Sequence, residues 1–228
     1  MNTDRLCELA NRGRAISRHP QATTGDWWKI GNADGDRAEV FIYGYIGDDW
    51  NEEDVTAASF TKQLRGITAP AIDLRVNSPG GAVFDGIAIY TALLDHPATV
   101  DVTVDGVAAS AASFVSMAGD TIAMQKPAKM MIHDASGIVL GNAADMQEMA
   151  DLLNELSDTI AGIYADRAGG TVAKWRDAMK AETWYSAAAA VEAGLADRVA
   201  NDTTQPAPED RRRSQTARAR ARVHGLKG

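Results

Sequence analysis

The sequence predicts an α/β domain. Three observations carry this. Runs rich in β-branched and aromatic residues recur along the chain, amphipathic helical segments fall between them, and Gly- or Pro-containing turns separate the two. The length of 228 residues suits one domain with tails.

Residues 1–25 are polar and poorly periodic, and read as a loose arm with one short helix near Asp4–Arg12. The folded domain is expected over residues 26–200. "AEVFIYGYI" (Ala38–Ile46) is β-branched and aromatic and predicts a strand. In "NEEDVTAASFTKQL", Asn51 suits an N-cap, and Val55, Ala58, Phe60 and Leu64 supply a helical apolar face. "AIDLRV" (Ala71–Val76) reads as a short buried strand that "NSPGG" breaks. Val83, Ile87, Tyr90 and Leu94 then recur at helical spacing. Val100, Val102 and Val104 alternate as in a strand, and the short strands "DTIAMQ" and "KMMIH" follow. From Asn142 to Arg167 a long helix is expected, with Met146, Met149, Leu153, Leu156, Ile160 and Ile163 along a narrow seam. "AGG" (Ala168–Gly170) ends it, and Thr171 caps a further helix through Met179. "SAAAAVEAGLADRV" reads as a capped helix stopped by Gly194, then a short strand.

Composition narrows the function classes. The chain is 45% hydrophobic and 24% charged, an ordinary globular balance. It has no apolar run long enough to span a bilayer and no secretory leader pattern, so a cytoplasmic location is expected. One cysteine, Cys7, excludes an internal disulfide framework, and the four scattered histidines have no ligand-like spacing. No metal and no cofactor are expected. From Thr203 onward seven Lys and Arg face two acids, so residues 201–228 read as an Arg-rich disordered tail on an acidic body. An acidic body argues against nucleic acid as the partner of the folded domain.

Two stretches could do chemistry. "NSPGGAVFDG" joins a strand to a helix through glycines, which leaves backbone N–H groups free to meet an oxyanion or a phosphate. The plain reading is an ordinary turn, and no Walker-type phosphate loop is present. "VDGVAASAASFVSMAGD" places Ser110 at a strand-to-helix turn, the setting of an exposed nucleophile. Ser113 and Ser116 fall inside the following helix, where serine bonds back to its own backbone. The pattern leaves open whether Ser110 is a nucleophile or a small packing residue. A serine needs a base. His19 lies in the arm, His224 in the tail and His96 before Pro97 at a helix end, so His133, where the chain leaves a strand, is the best candidate by elimination. Spacing alone does not choose the acid of a triad.

Four blocks taken together, "NSPGG", "GVAASAASFVSMAG", "MMIHD" and "YSAAAAVEAGLAD", resemble the Clp protease proteolytic subunit (ClpP) family over about Ala38–Val199. The resemblance implies the ClpP/crotonase-like fold, a spiral of repeated β-β-α units with a protruding handle helix. It implies that Ser110 is the nucleophile and His133 the base, with the N–H groups of Gly81 and Ala111 as oxyanion hole. The family's aspartate precedes a hydrophobic pair and Ser-Ala. Aligning Trp184–Tyr185 there puts Glu182 at the acid's position, with Asp177 its rival. Gly80 and the segment Gly137, Ile138 and Val139 are implied to bind an extended polypeptide substrate. The long helix is implied to stack two heptameric rings of a homo-oligomer.

Two features separate the chain from a housekeeping ClpP. The arm shows no axial-loop segment of the kind that meets an ATP-driven (AAA+) unfoldase, and an Arg-rich tail is present. With Trp-Tyr-Ser-Ala in place of an aliphatic version, the chain is similar to phage or prophage head-maturation proteases. That implies capsid, portal or scaffold proteins as partners and an infected or lysogenic bacterial host. The competing readings are a housekeeping ATP-dependent Clp subunit, a Ser-Lys protease like signal peptide peptidase A using Lys126 or Lys129, a crotonase-like acyl-CoA enzyme, and an inactive ring subunit.

Overall fold

Buried and outward residues alternate almost without a break along three long strands, and that alternation builds the domain. The computed structural model describes residues 28–31, 35–47 and 57–202. The arm, the Asn51 cap, Val55, His19, His224 and the tail beyond Asp202 lie outside the described residues. The chain order is β1 (Trp28–Gly31), β2 (Arg37–Ile46), α1 (Ala57–Leu64), β3 (Ala71–Gly81), α2 (Val83–Asp95), β4 (Thr99–Ala109) and α3 (Ala111–Ser116). There follow β5 (Thr121–Met124), β6 (Lys129–Ile132), α4 (Ala143–Ala168), α5 (Val172–Lys180), β7 (Thr183–Ser186), α6 (Ala187–Ala193) and β8 (Arg198–Val199). This is the mixed α/β architecture expected.

The strands form one sheet in the order β1-β2-β3-β4-β5-β8, with β6 branching from β4 and β7 beyond it. β2, β3 and β4 are parallel, joined through helices. Ile72, Leu74 and Val76 of β3 and Val100, Val102 and Val104 of β4 point into the core, and the residues between them point out. On the outer face Asp73 and Asp101 stand directly opposite each other. Like charges so placed repel. Arg37 relieves this by donating to Asp73 from Nε and to Asp101 from Nη2, both at 2.7 Å. Arg75 Nε and the Tyr43 hydroxyl meet on Asp105 at 2.9 and 2.6 Å.

Three expectations are corrected. "NSPGG" does not break β3, which runs through to Gly81 because Tyr45 and Ile46 of β2 keep pairing with Gly80 and Gly81 after a register shift. The buried face of α1 is Ala57, Phe60 and Leu64, with Ala58 exposed. In α2 the deepest side chains are Ile89, Tyr90, Leu93 and Leu94, while Val83 and Ile87 are half-buried. β1 and β7 were not foreseen.

The long helix α4 is two different objects. Its second half is core: Ile160, Ala161, Ile163 and Tyr164 are buried, and Arg167 donates to Gly119 O at 2.9 Å and to Asp197 at 2.7 Å. Its first half projects, and Met146 and Leu152 stay exposed. Asn142 and Asp145 close a capping box at its start, and Gly169 ends it.

One glycine sets the geometry at the sheet end. Gly80 has φ +96°, and a Cβ built there would lie 2.6 Å from Ala109 O and 2.7 Å from Ala111 N. Backbone atoms cannot step aside as a flexible side chain can. Gly80→Ala is therefore expected to cost about 2–4 kcal/mol, read as a drop of about 5–10 °C in the unfolding midpoint. Gly162→Ala, inside α4 with open space around it, should be neutral or slightly stabilising. Equal midpoints for the two variants would contradict the close packing.

Candidate active site

Gly81, Ser110 and His133 sit at the carboxyl ends of β3, β4 and β6. β4 pairs in parallel with β5 over Asp101–Val104, then with β6 over Val107–Ala109. Because the β4–β6 pairing stops at Ala109 opposite Met131, Ser110 and His133 leave the sheet side by side. Ser110 N donates to Met131 O at 3.0 Å, which pins the turn to β6. Ser110 Oγ lies 2.7 Å from His133 Nε2, full hydrogen-bond contact.

Ser110 pays for its place in backbone energy. Its φ of 52° and ψ of −124° resemble the first central residue of a type II′ turn, a glycine conformation. A residue held there costs about 1–3 kcal/mol, and such outliers gather at functional sites. The turn ends directly in α3, whose first N–H groups have no partner within the helix. The Ala111 amide is one of these. Gly81, Ser110, Ala111 and His133 line one small cleft of about 50 Å³, with Phe114 and Tyr164 behind them. A larger open groove of about 880 Å³ lies between α4 and α5, but neither Ser110 nor His133 lines it.

Ser113 and Ser116 are buried, as expected of helix-interior serines. Ser116 Oγ donates to Ala112 O at 2.8 Å and Ser113 Oγ to Ser110 O at 2.5 Å. His96 is the C-cap of α2, buried, with Nδ1 accepting from Ala98 N, and its burial lowers its pKa. Lys126 and Lys129 are exposed, and Lys129 begins β6, about 13 Å of strand away from His133. Gly80 faces the Ser110 turn: the close approach its missing side chain allows is by the protein's own backbone.

Glu182, the expected acid, is exposed. β6 and β7 are antiparallel and their ladder ends at Ile132 opposite Thr183, the residues next in the chain to His133 and Glu182. Among the described residues His133 makes its side-chain hydrogen bond to Ser110, and none joins it to Glu182. Glu182 has φ 48°, a conformation that L-residues adopt at a cost of about 1–2 kcal/mol. Asp177 is exposed on α5 and lines the α4–α5 groove instead.

The segment after His133 is tied to the long helix. Ala135 N donates to Ser157 Oγ at 2.9 Å, and Arg176 reaches Asp134 at 3.3 Å. Ile138 and Leu140 beyond it are 79% and 80% exposed, with Val139 between them half-buried. This stretch belongs to no strand. Sequence reasoning missed the Asp134–Arg176 pair and the contact between Ser113 Oγ and Tyr164 OH at 2.7 Å, since both join residues far apart in the chain. Among the described residues no group of three or more His, Cys, Asp or Glu is placed to hold a metal, and no helix is long and apolar enough to cross a membrane.

A family model described as Clp protease matches residues 35–203. The ATP-dependent Clp protease proteolytic subunit of Chlorella vulgaris is 34% identical over 131 residues, covering 56% of this chain and 65% of that protein. Proteolytic subunit 3 of Streptomyces coelicolor is 34% identical over 145 residues, 62% of this chain and 66% of that protein. Proteolytic subunit 2 of Cutibacterium acnes is 29% identical over 166 residues, 71% of this chain and 78% of that protein. The chain thus spans about 65% of the length of the first two of these relatives. With the matched region containing the strand ends, the serine turn and the histidine together, the chain belongs to the Clp protease family.

Proposed function

We propose that the chain is a serine endopeptidase acting through Ser110, His133 and Glu182. The observation that carries this reading is the 2.7 Å contact between Ser110 Oγ and His133 Nε2 at a strained strand-to-helix turn. With Nε2 accepting the serine proton, the ring proton of neutral His133 sits on Nδ1, the nitrogen an acid must meet. The oxygen of Ser110 bonds to the peptide carbonyl carbon as the proton passes to Nε2. The carbonyl oxygen becomes an oxyanion held by the Gly81 and Ala111 amides. The C–N bond then breaks and His133 returns the proton to the leaving amine. Water, deprotonated by His133, attacks the acyl carbon and restores the Ser110 hydroxyl.

Glu182 supplies the negative charge that the imidazolium needs. Its support is the end of the β6–β7 ladder beside it; its φ of 48° belongs to the close of α5, where Glu182 N donates to Met179 O at 3.0 Å. Glutamate reaches one methylene further than aspartate, which suits a residue facing His133 across the end of the ladder. The unpaired segment Gly137–Val139 receives the substrate as an added strand, with side chains alternating as Ile138 and Val139 do. Further copies of the chain cover the exposed Ile138, Leu140, Met146 and Leu152, in heptameric rings that stack through α4.

The biological reading is processing of capsid-assembly proteins in phage head maturation. The Trp184–Tyr185–Ser186–Ala187 block and the Arg-rich tail support it. The second reading, an ATP-dependent degradative subunit, is favoured by the printed names of the relatives.

Purified chain is expected to cleave an unfolded polypeptide without ATP. Ser110→Ala should abolish turnover, and His133→Ala should lower kcat by about a thousandfold or more. Full activity in either variant would contradict the mechanism, and cleavage only with an ATP-driven unfoldase would favour the second biological reading. Glu182→Gln should lower kcat by about a hundredfold or more with little change in KM. Wild-type kcat for Glu182→Gln, with loss in Asp177→Asn, would reassign the acid.

A further inference from the structure

We infer that Tyr164 and Ser113 form a hydroxyl relay that aims and polarises the Ala111 amide, making both positioning residues for the oxyanion hole. The inference rests on the serine-peptidase reading.

Ser113 carries one hydroxyl proton. The Ser110 carbonyl can only accept, so the 2.5 Å contact commits that proton to it. The Tyr164 phenol, 2.7 Å away, must then be the donor to Ser113 Oγ. The relay thus runs from the Tyr164 hydroxyl through the Ser113 hydroxyl to Ser110 O. The same carbonyl accepts the Ser113 backbone N–H at 3.0 Å. Ser113 and Tyr164 are both 0% exposed, so water cannot replace either partner.

The Ser110 carbonyl and the Ala111 N–H belong to one planar trans peptide unit and point in opposite directions. Two donors gripping the oxygen from behind fix the direction of the N–H in front. They also draw electron density toward the oxygen, which strengthens the N–H as a donor. This grip acts on the turn whose φ of 52° would otherwise relax. Tyr164 and Ala111 line the same cleft. Tyr164 also lies on α4, so the helix that projects from the domain reaches the amide through two hydroxyls.

The test uses Ser113→Ala, Tyr164→Phe and the double variant. Ser113→Ala strands a buried phenol and should lower thermal stability, whereas the double variant removes both partners and should recover most of it. Catalysis should not recover with it. We expect kcat on a peptide to fall about tenfold in Ser113→Ala and in the double variant, with KM within about twofold. Tyr164→Phe keeps the Ser113 bond to Ser110 and should fall less. The amide nitrogen resonance of Ala111 should move upfield in the same order. A double variant with wild-type kcat, or an unmoved Ala111 resonance in Ser113→Ala, overturns the relay. A wild-type chain that is inert toward peptides while the Ala111 resonance still moves would instead sink the peptidase reading and leave the relay standing.

Discussion

The site depends on one strand having two neighbours. β4 gives its first half to β5 and its last residues to β6. If β5 continued along all of β4, β6 would be shut out and His133 would emerge elsewhere. Because the strands around the fork are parallel, their carboxyl ends gather at one edge: Gly81 from β3, Ser110 from β4 and His133 from β6. Open parallel sheets place their ligand sites at such an edge. β7 runs the other way, so it is the start of that strand that comes to the same place, with Glu182 just before it.

Position is then turned into reactivity by packing. Ser110 holds a backbone conformation that glycine would take freely, and three contacts keep it there. Gly80 presses against the turn, Met131 accepts the Ser110 N–H, and Ser113 holds the carbonyl. The first needs a residue without a side chain and the third a hydroxyl, whereas the second is backbone to backbone. The buried half of α4 backs this arrangement through Tyr164 and anchors the stretch after His133 through Ser157. Its outer half carries apolar side chains that no described part of the chain covers. One helix therefore serves both the core beneath the serine and a surface that a single copy leaves exposed.

What could be read from the sequence follows from the range of each interaction. Alternation at Val100, Val102 and Val104, the Gly169 and Gly194 stops and the Thr171 cap are local, and the structure has them as read. "NSPGG" looks like a breaker residue by residue, yet pairing with β2 carries the strand through it. β1 and β7 are four residues each, too short for periodicity to separate from loop. Ser113 was expected to bond back to its own backbone and does, but its second partner lies 51 residues away in the chain. The ends of β6 and β7, next to His133 and Glu182, likewise come together only once the two strands are paired.

The central claim is that Ser110 is a nucleophile because His133 stands beside it. Peptide mapping by mass spectrometry after treatment with a fluorophosphonate tests this most directly. The account predicts a single phosphonyl adduct on the peptide containing Ser110, lost when His133 is replaced by alanine. An unmodified Ser110, or an adduct that forms equally fast without His133, would contradict it.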